Sequence, residues 1–193
     1  MKLKTSLSIF AILLMCGCLS THGQGLSPST ATEPTPVDPL ERQRVAASVD
    51  SQVFLFSRAQ LHQMGREAAE LINRERLKLG LTAIAWSEDA ARIARLHSEN
   101  MARLNFFGHS GVDGKMVDER ADQLGVKKWR AIGENIAFNR GYRDPIRTAV
   151  DKWMLSTSHR NNLLNPRWQE TGIGIAVTPE GCFYFTQVFL VRR

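Results

Sequence analysis

The stretch IGIAVTPEGCFYFTQVFLV, residues 173–191, decides the fold. Its two halves are rich in β-branched and aromatic side chains and flank Pro179-Glu180-Gly181, a pattern that predicts a β-hairpin. In the second half Phe183, Phe185, Gln187 and Phe189 share one face, while Tyr184, Thr186, Val188 and Leu190 share the other. Both faces are largely apolar, so this strand is expected in the middle of a sheet covered by helices on each side.

Three segments supply those helices. Residues 58–79 place Leu61, Met64, Ala68, Leu71, Ile72 and Leu77 at helical spacing, and Gly80 ends the run. Ser87 is a good N-cap, with Glu88 and Asp89 behind it to complement the helix dipole. The apolar face of this second helix is Ala90, Ile93, Ala94, His97 and Met101. Asp144-Pro145 opens a third, whose stripe is Ile146, Ala149, Val150, Trp153 and Met154. A short turn at 159–164 closes before Pro166, and a further short strand is expected over 129–133, stopping before Glu134. The expected architecture is one α/β domain, a three-layer α-β-α sandwich, over residues 58–193.

The length of 193 residues leaves room for that domain and an appendage. With 43% apolar and 23% charged residues the chain is neither wholly disordered nor collagen-like. Three cysteines, two of them before residue 19, exclude a disulfide-stapled scaffold. The net charge of +6 excludes an acidic buffer protein. Arg66, Arg74, Arg76, Lys78, Arg92 and Arg95 are interleaved with acids and read as a solvated surface. At most that surface favours anionic envelope polymers or lipid headgroups, and no nucleic-acid-binding module is visible.

Residues 1–17 have the marks of a secretory leader: Lys2 and Lys4, then an apolar run from Ile9 to Met15, too short to span a bilayer. Met15-Cys16-Gly17-Cys18 resembles a bacterial lipobox, which predicts cleavage after Gly17 and acylation of Cys18. Leu19 stands where an aspartate commonly retains such proteins at an inner membrane, so an outward location is expected. Residues 18–57 form the lipidated end and a tether. Between Ser20 and Pro39 lie four prolines and seven Ser or Thr, a composition that buries too little surface to fold. The expected protein is therefore lipid-anchored in the bacterial envelope, facing the periplasm or the exterior.

Several polar residues stand out in the domain. His109 lies in Phe107-Gly108-His109-Ser110-Gly111, a glycine-flanked loop without the spacing of a nucleophile elbow. Glu134, in Gly133-Glu134-Asn135-Ile136, adjoins an apolar strand, where an unpaired charge would be costly. His159 lies in the polar run Ser156-Thr157-Ser158-His159-Arg160-Asn161-Asn162. Two imidazoles and a carboxylate are the donors of an open divalent-metal site, with zinc the first choice. The same residues are equally compatible with capping and loop hydrogen bonds. His97, on an apolar stripe, reads as a core histidine, the four tryptophans as packing anchors, and Cys182 as a small apolar strand residue.

Taken in order, Asn73-Arg74-Glu75, His97-Ser98-Glu99-Asn100-Met101, Gly108-His109-Ser110, Gly133-Glu134-Asn135-Ile136-Ala137, Ser158-His159-Arg160-Asn161-Asn162-Leu163-Leu164 and Thr186-Gln187-Val188-Phe189 resemble the CAP superfamily in its bacterial SCP-domain branch. The resemblance runs from about Leu61 to Leu190 and implies the same α-β-α sandwich. Eukaryotic members carry a cleft tetrad of two His and two Glu able to bind a divalent metal. His109 and Glu134 match its first His and first Glu. Ser156 and Tyr184 stand where its second Glu and second His fall, so the resemblance implies a site of His109, Glu134 and His159, with Ser156, Tyr184 and Gln187 lining the cleft. Three functions follow. The first is a binding module for a small or polymeric envelope ligand, since lipid and sterol binding is attributed to relatives. The second is a zinc-dependent hydrolase or protease with Glu134 as general base, or a weaker variant with Ser156 or Ser158 activated by His159. The third is a structural or interaction domain without cleft chemistry.

Overall fold

The computed structural model describes Thr5–Ser6 and residues 56–193. Cys18, the tether as far as residue 55 and the rest of the leader lie outside the described residues. The strands are β1 (Thr5–Ser6), β2 (Ala85–Trp86), β3 (Trp129–Arg140), β4 (Glu170–Val177) and β5 (Cys182–Arg192). The helices are α1 (Arg58–Lys78), α2 (Glu88–Leu104), α3 (Val117–Gln123), α4 (Pro145–Leu155) and α5 (Thr157–Leu163). They form one sheet of order β1-β3-β5-β4-β2, in which β5 is antiparallel to both neighbours and the two short edge strands are parallel to theirs.

The hairpin forms as its sequence dictates, and Gly181 supplies the positive φ of 77° that closes the turn. Phe185 and Phe189 pack under α1 and α4 with Ile72, Val150 and Trp153. On the opposite face Val188 and Leu190 meet Ala90, Ile93 and Ala94 of α2 and Ala121 of α3. The central strand and the three layers are thus as expected. Along β4 the isoleucines Ile173 and Ile175 fill the α1 side, while Gly172 and Gly174 face α2. A Cβ on Gly174 would fall 2.0 Å from the Arg95 backbone nitrogen, so the missing side chains let α2 lie directly on the sheet.

Helix ends follow the sequence. Ser57 and Gln60 form a reciprocal capping box at α1, and Asp144 caps α4 by accepting from Arg147 N–H at 2.8 Å. Among the differences from the sequence reading, two concern buried charge. First, β3 does not stop before Glu134 but runs on to Arg140, because Glu134 is neutralised by partners and can stay in a buried strand. Second, Arg76 is not on the surface. It is fully buried, donating to the carbonyls of Thr82, Leu163 and Asn165 and so tying α1 to the end of α5. Trp129, Trp153 and Trp168 are packed inside, Trp86 is half-buried, and Cys182 is a half-buried free thiol at the hairpin end of β5.

Candidate functional site around Glu134

The site is built on β3. Because Glu134 pairs with Val188 and Asn135 with Gln187, successive side chains of β3 leave the sheet on opposite faces. Glu134 points to the α2 side and Asn135 to the side of α4 and α5. Beyond Ile132 the outer edge of β3 has no strand beside it among the described residues.

On the α2 side the loop carrying His109 is folded back by Asn105, which ends α2 at φ 50°. His97 of α2 holds that loop, its Nε2 lying 2.8 Å from the Gly108 carbonyl. Arg120, projecting inward from α3, donates to the carbonyls of His109 at 3.0 Å and Lys115 at 2.7 Å. Its Nη2 also donates to Glu134 Oε2 at 2.6 Å, and Glu134 Oε1 lies 2.8 Å from His109 Nδ1. The Glu134 and Arg120 side chains are each only 4% exposed, against 20% for His109. Both carboxylate oxygens are therefore engaged.

Burial raises the pKa of Glu134, but the His109 hydrogen bond and the Arg120 charge together outweigh it and hold the group below the ordinary carboxylate range. An ionised carboxylate only accepts, so His109 must donate through Nδ1–H, and its Nε2 faces away with a free lone pair when the ring is neutral. Burial is the main cause that keeps His97 below its usual pKa, with the positive Arg120 adding to it.

Across the strand, His159 Nδ1 lies 2.8 Å from Ser156 Oγ, which is itself 3.2 Å from Ser158 Oγ. Asn135 donates to the His159 carbonyl at 3.2 Å, and Asn162 donates both to Asn135 Oδ1 at 3.0 Å and to the Glu134 carbonyl at 3.3 Å. Burial is the main cause that keeps His159 below its usual pKa, and a positive charge on His109, whenever that ring carries one, pushes the same way.

The structure joins His109 to Glu134 by direct contact and links His159 to them through Asn135, Asn162 and the β3 backbone. Ser156 sits with His159. Tyr184 lies further along the α2 face, 8% exposed and stacked on Phe138. Gln187 has no exposed surface and donates to Thr171 Oγ1, so it lines no surface in this arrangement. Among the described residues no group of three or more His, Cys, Asp and Glu is spaced to hold a metal ion. With both of its oxygens taken, Glu134 does not fit as a direct metal ligand or as a free base. Sequence reasoning missed Arg120, Asn135 and Asn162. Arg120 had no signal, being one cation among many, whereas the two asparagines sat inside segments already singled out.

A glycine-lightened α-β-α sandwich with a histidine loop and a polar helix meeting over an edge-strand glutamate defines the class of protein. The profile of the cysteine-rich secretory protein (CAP) family matches residues 69–189, and the chain belongs to that family. It is 33% identical to the uncharacterised membrane protein YlbC of Bacillus subtilis over 66% of this chain and 34% of that one. Among solved structures, an extracellular SCP-domain protein of Bacillus anthracis shares the fold at TM-score 0.60 and 24% identity, covering 83% of this chain and 45% of that one. An outer surface protein of Borrelia burgdorferi also aligns at TM-score 0.60, with 18% identity over 66% of this chain and 92% of its own. The chain thus spans between about a third and about a half of the length of the curated relatives it matches, 34% of one and 46% of another.

Proposed function

We propose that this protein is an envelope-anchored binding domain that takes a small or polymeric envelope ligand at the edge of β3. The observation that carries the reading is the commitment of Glu134: one oxygen on His109, the other on Arg120. Structural and recognition roles are thereby divided. Glu134 and Arg120 lock the loop, while His109 and His159, each half-buried with one ring nitrogen already bonded, offer the other to a ligand. Hydrolysis with Glu134 as general base loses support, because both carboxylate oxygens are engaged and its lowered pKa makes it a weak base.

A divalent ion such as Zn²⁺ would have only the imidazoles of His109 and His159 to meet here, because both Glu134 oxygens are engaged. Glu134 would then stand behind His109 as the carboxylate that fixes the ring. Elemental analysis of protein dialysed and reloaded with Zn²⁺ measures this directly. Envelope anchoring at Cys18 is supported by the lipobox and by the extracellular, surface and membrane descriptions of the related proteins. Among the described residues no helix is long and apolar enough to cross a membrane.

Co-sedimentation with purified cell-wall sacculi tests the binding reading. Wild type is expected in the pellet and His109→Ala in the supernatant. Equal retention of both would remove the site from the account.

A further inference from the structure

A second concavity lies away from His109. It is a groove of about 520 Å³ between the start of α1, the C-terminal half of α2 and the outer edge of β4. β2 covers that edge only as far as Thr171, whose carbonyl accepts from Ser87 N–H at 2.8 Å. At the other end Thr178 N–H turns inward to the Cys182 carbonyl at 2.9 Å. Backbone groups alternate sides along a strand, so the odd-numbered residues between them direct N–H and C=O away from β5. α1 closes the edge at Ile173, where Gly65 comes so near that a Cβ would fall 2.4 Å from the carbonyl oxygen. Past that crossing, Ile175 and Val177 present their N–H and C=O groups to the groove, and Pro179 ends it.

The floor is apolar, from Leu61, Ala102 and Val177, and the rim is cationic. Arg58, Arg95 and Arg103 surround Glu99, the one acid among the described lining residues, which lies 3.6 Å from Arg58 and 3.8 Å from Arg95. We propose that this groove binds an extended, acidic peptide segment of a partner protein, which adds to the sheet as a short strand beside β4. An edge that past Thr171 has no strand beside it among the described residues favours a peptide over an acyl chain, because only a peptide returns hydrogen bonds in register. Apolar side chains on alternate positions would face the floor, and acids between them would meet the arginines. This site is separate from the one at Glu134 and does not depend on it.

Fluorescence anisotropy with the full chain and a labelled Asp-Val-Glu-Val-Asp peptide tests the proposal. Saturable binding that weakens as salt is raised is expected, and the double variant Arg95→Glu, Arg103→Glu should bind at least ~10-fold more weakly with an unchanged circular dichroism spectrum. The same peptide N-methylated on alternate amides keeps every side chain but cannot pair with the edge, and it should not bind. Equal binding of the methylated peptide would overturn the proposal. So would no peptide binding, uptake of a fluorescent fatty acid in its place, or self-association of the chain through this edge.

Discussion

At the scale of single residues, the account turns on a buried ion pair. Removing one member of such a pair strands the other's charge away from water, so Glu134→Gln should lower stability by ~3 kcal/mol in urea denaturation. Replacing both members, Glu134→Leu with Arg120→Leu, should recover part of that loss, because no uncompensated charge remains. If the double variant is no more stable than the single one, the pair is not the cause. His97 makes a pH prediction. Its folded pKa lies below the unfolded value, so the unfolded chain takes up the proton first and acid favours unfolding. Stability should therefore fall as pH drops through the ordinary histidine range, and His97→Gln should flatten that slope. Parallel slopes would contradict the assignment. His97 and Glu134 were legible in the sequence because each is a polar residue in apolar surroundings. Arg76 and Arg120 were not. A long cation that hydrogen-bonds to carbonyls inside the protein looks, in sequence, like any surface arginine.

At the scale of elements, the alternation of β5 was sufficient to place it at the centre of the sheet, since a strand apolar on both faces needs cover on both. α3 escaped notice because seven residues give little more than Val117 and Ala121 as an apolar stripe, and its inward Arg120 breaks the pattern. The length of β3 was misjudged for a related reason: a charge normally ends a buried strand unless a partner far along the chain meets it. The glycines of β4 are decisive for packing. Gly174→Ala would drive a methyl group into the α2 backbone, and a loss of about 3 kcal/mol is expected in chemical denaturation, as for other overpacked cores. An unchanged midpoint would mean that α2 is free to move off the sheet.

At the scale of the whole molecule, the order of segments suggests the work: a run that resembles a lipobox, a proline-rich stretch, then a domain with polar groups fixed at a sheet edge. Cys18→Ser should shift the protein from the membrane fraction to the soluble one, and continued membrane association would exclude the anchor. What sequence could not show was convergence. Asn135 and Asn162, which bridge His159 to the Glu134 backbone across β3, become partners only once β3 lies against α5. The central claim is that Glu134 fixes His109 and leaves its Nε2 for a ligand. A long-range ¹H–¹⁵N correlation spectrum of the histidine rings near neutral pH tests it most directly. The account predicts His109 as the Nδ1–H tautomer with a bare Nε2. A proton on Nε2 alone, or a ring averaging between tautomers, would contradict it.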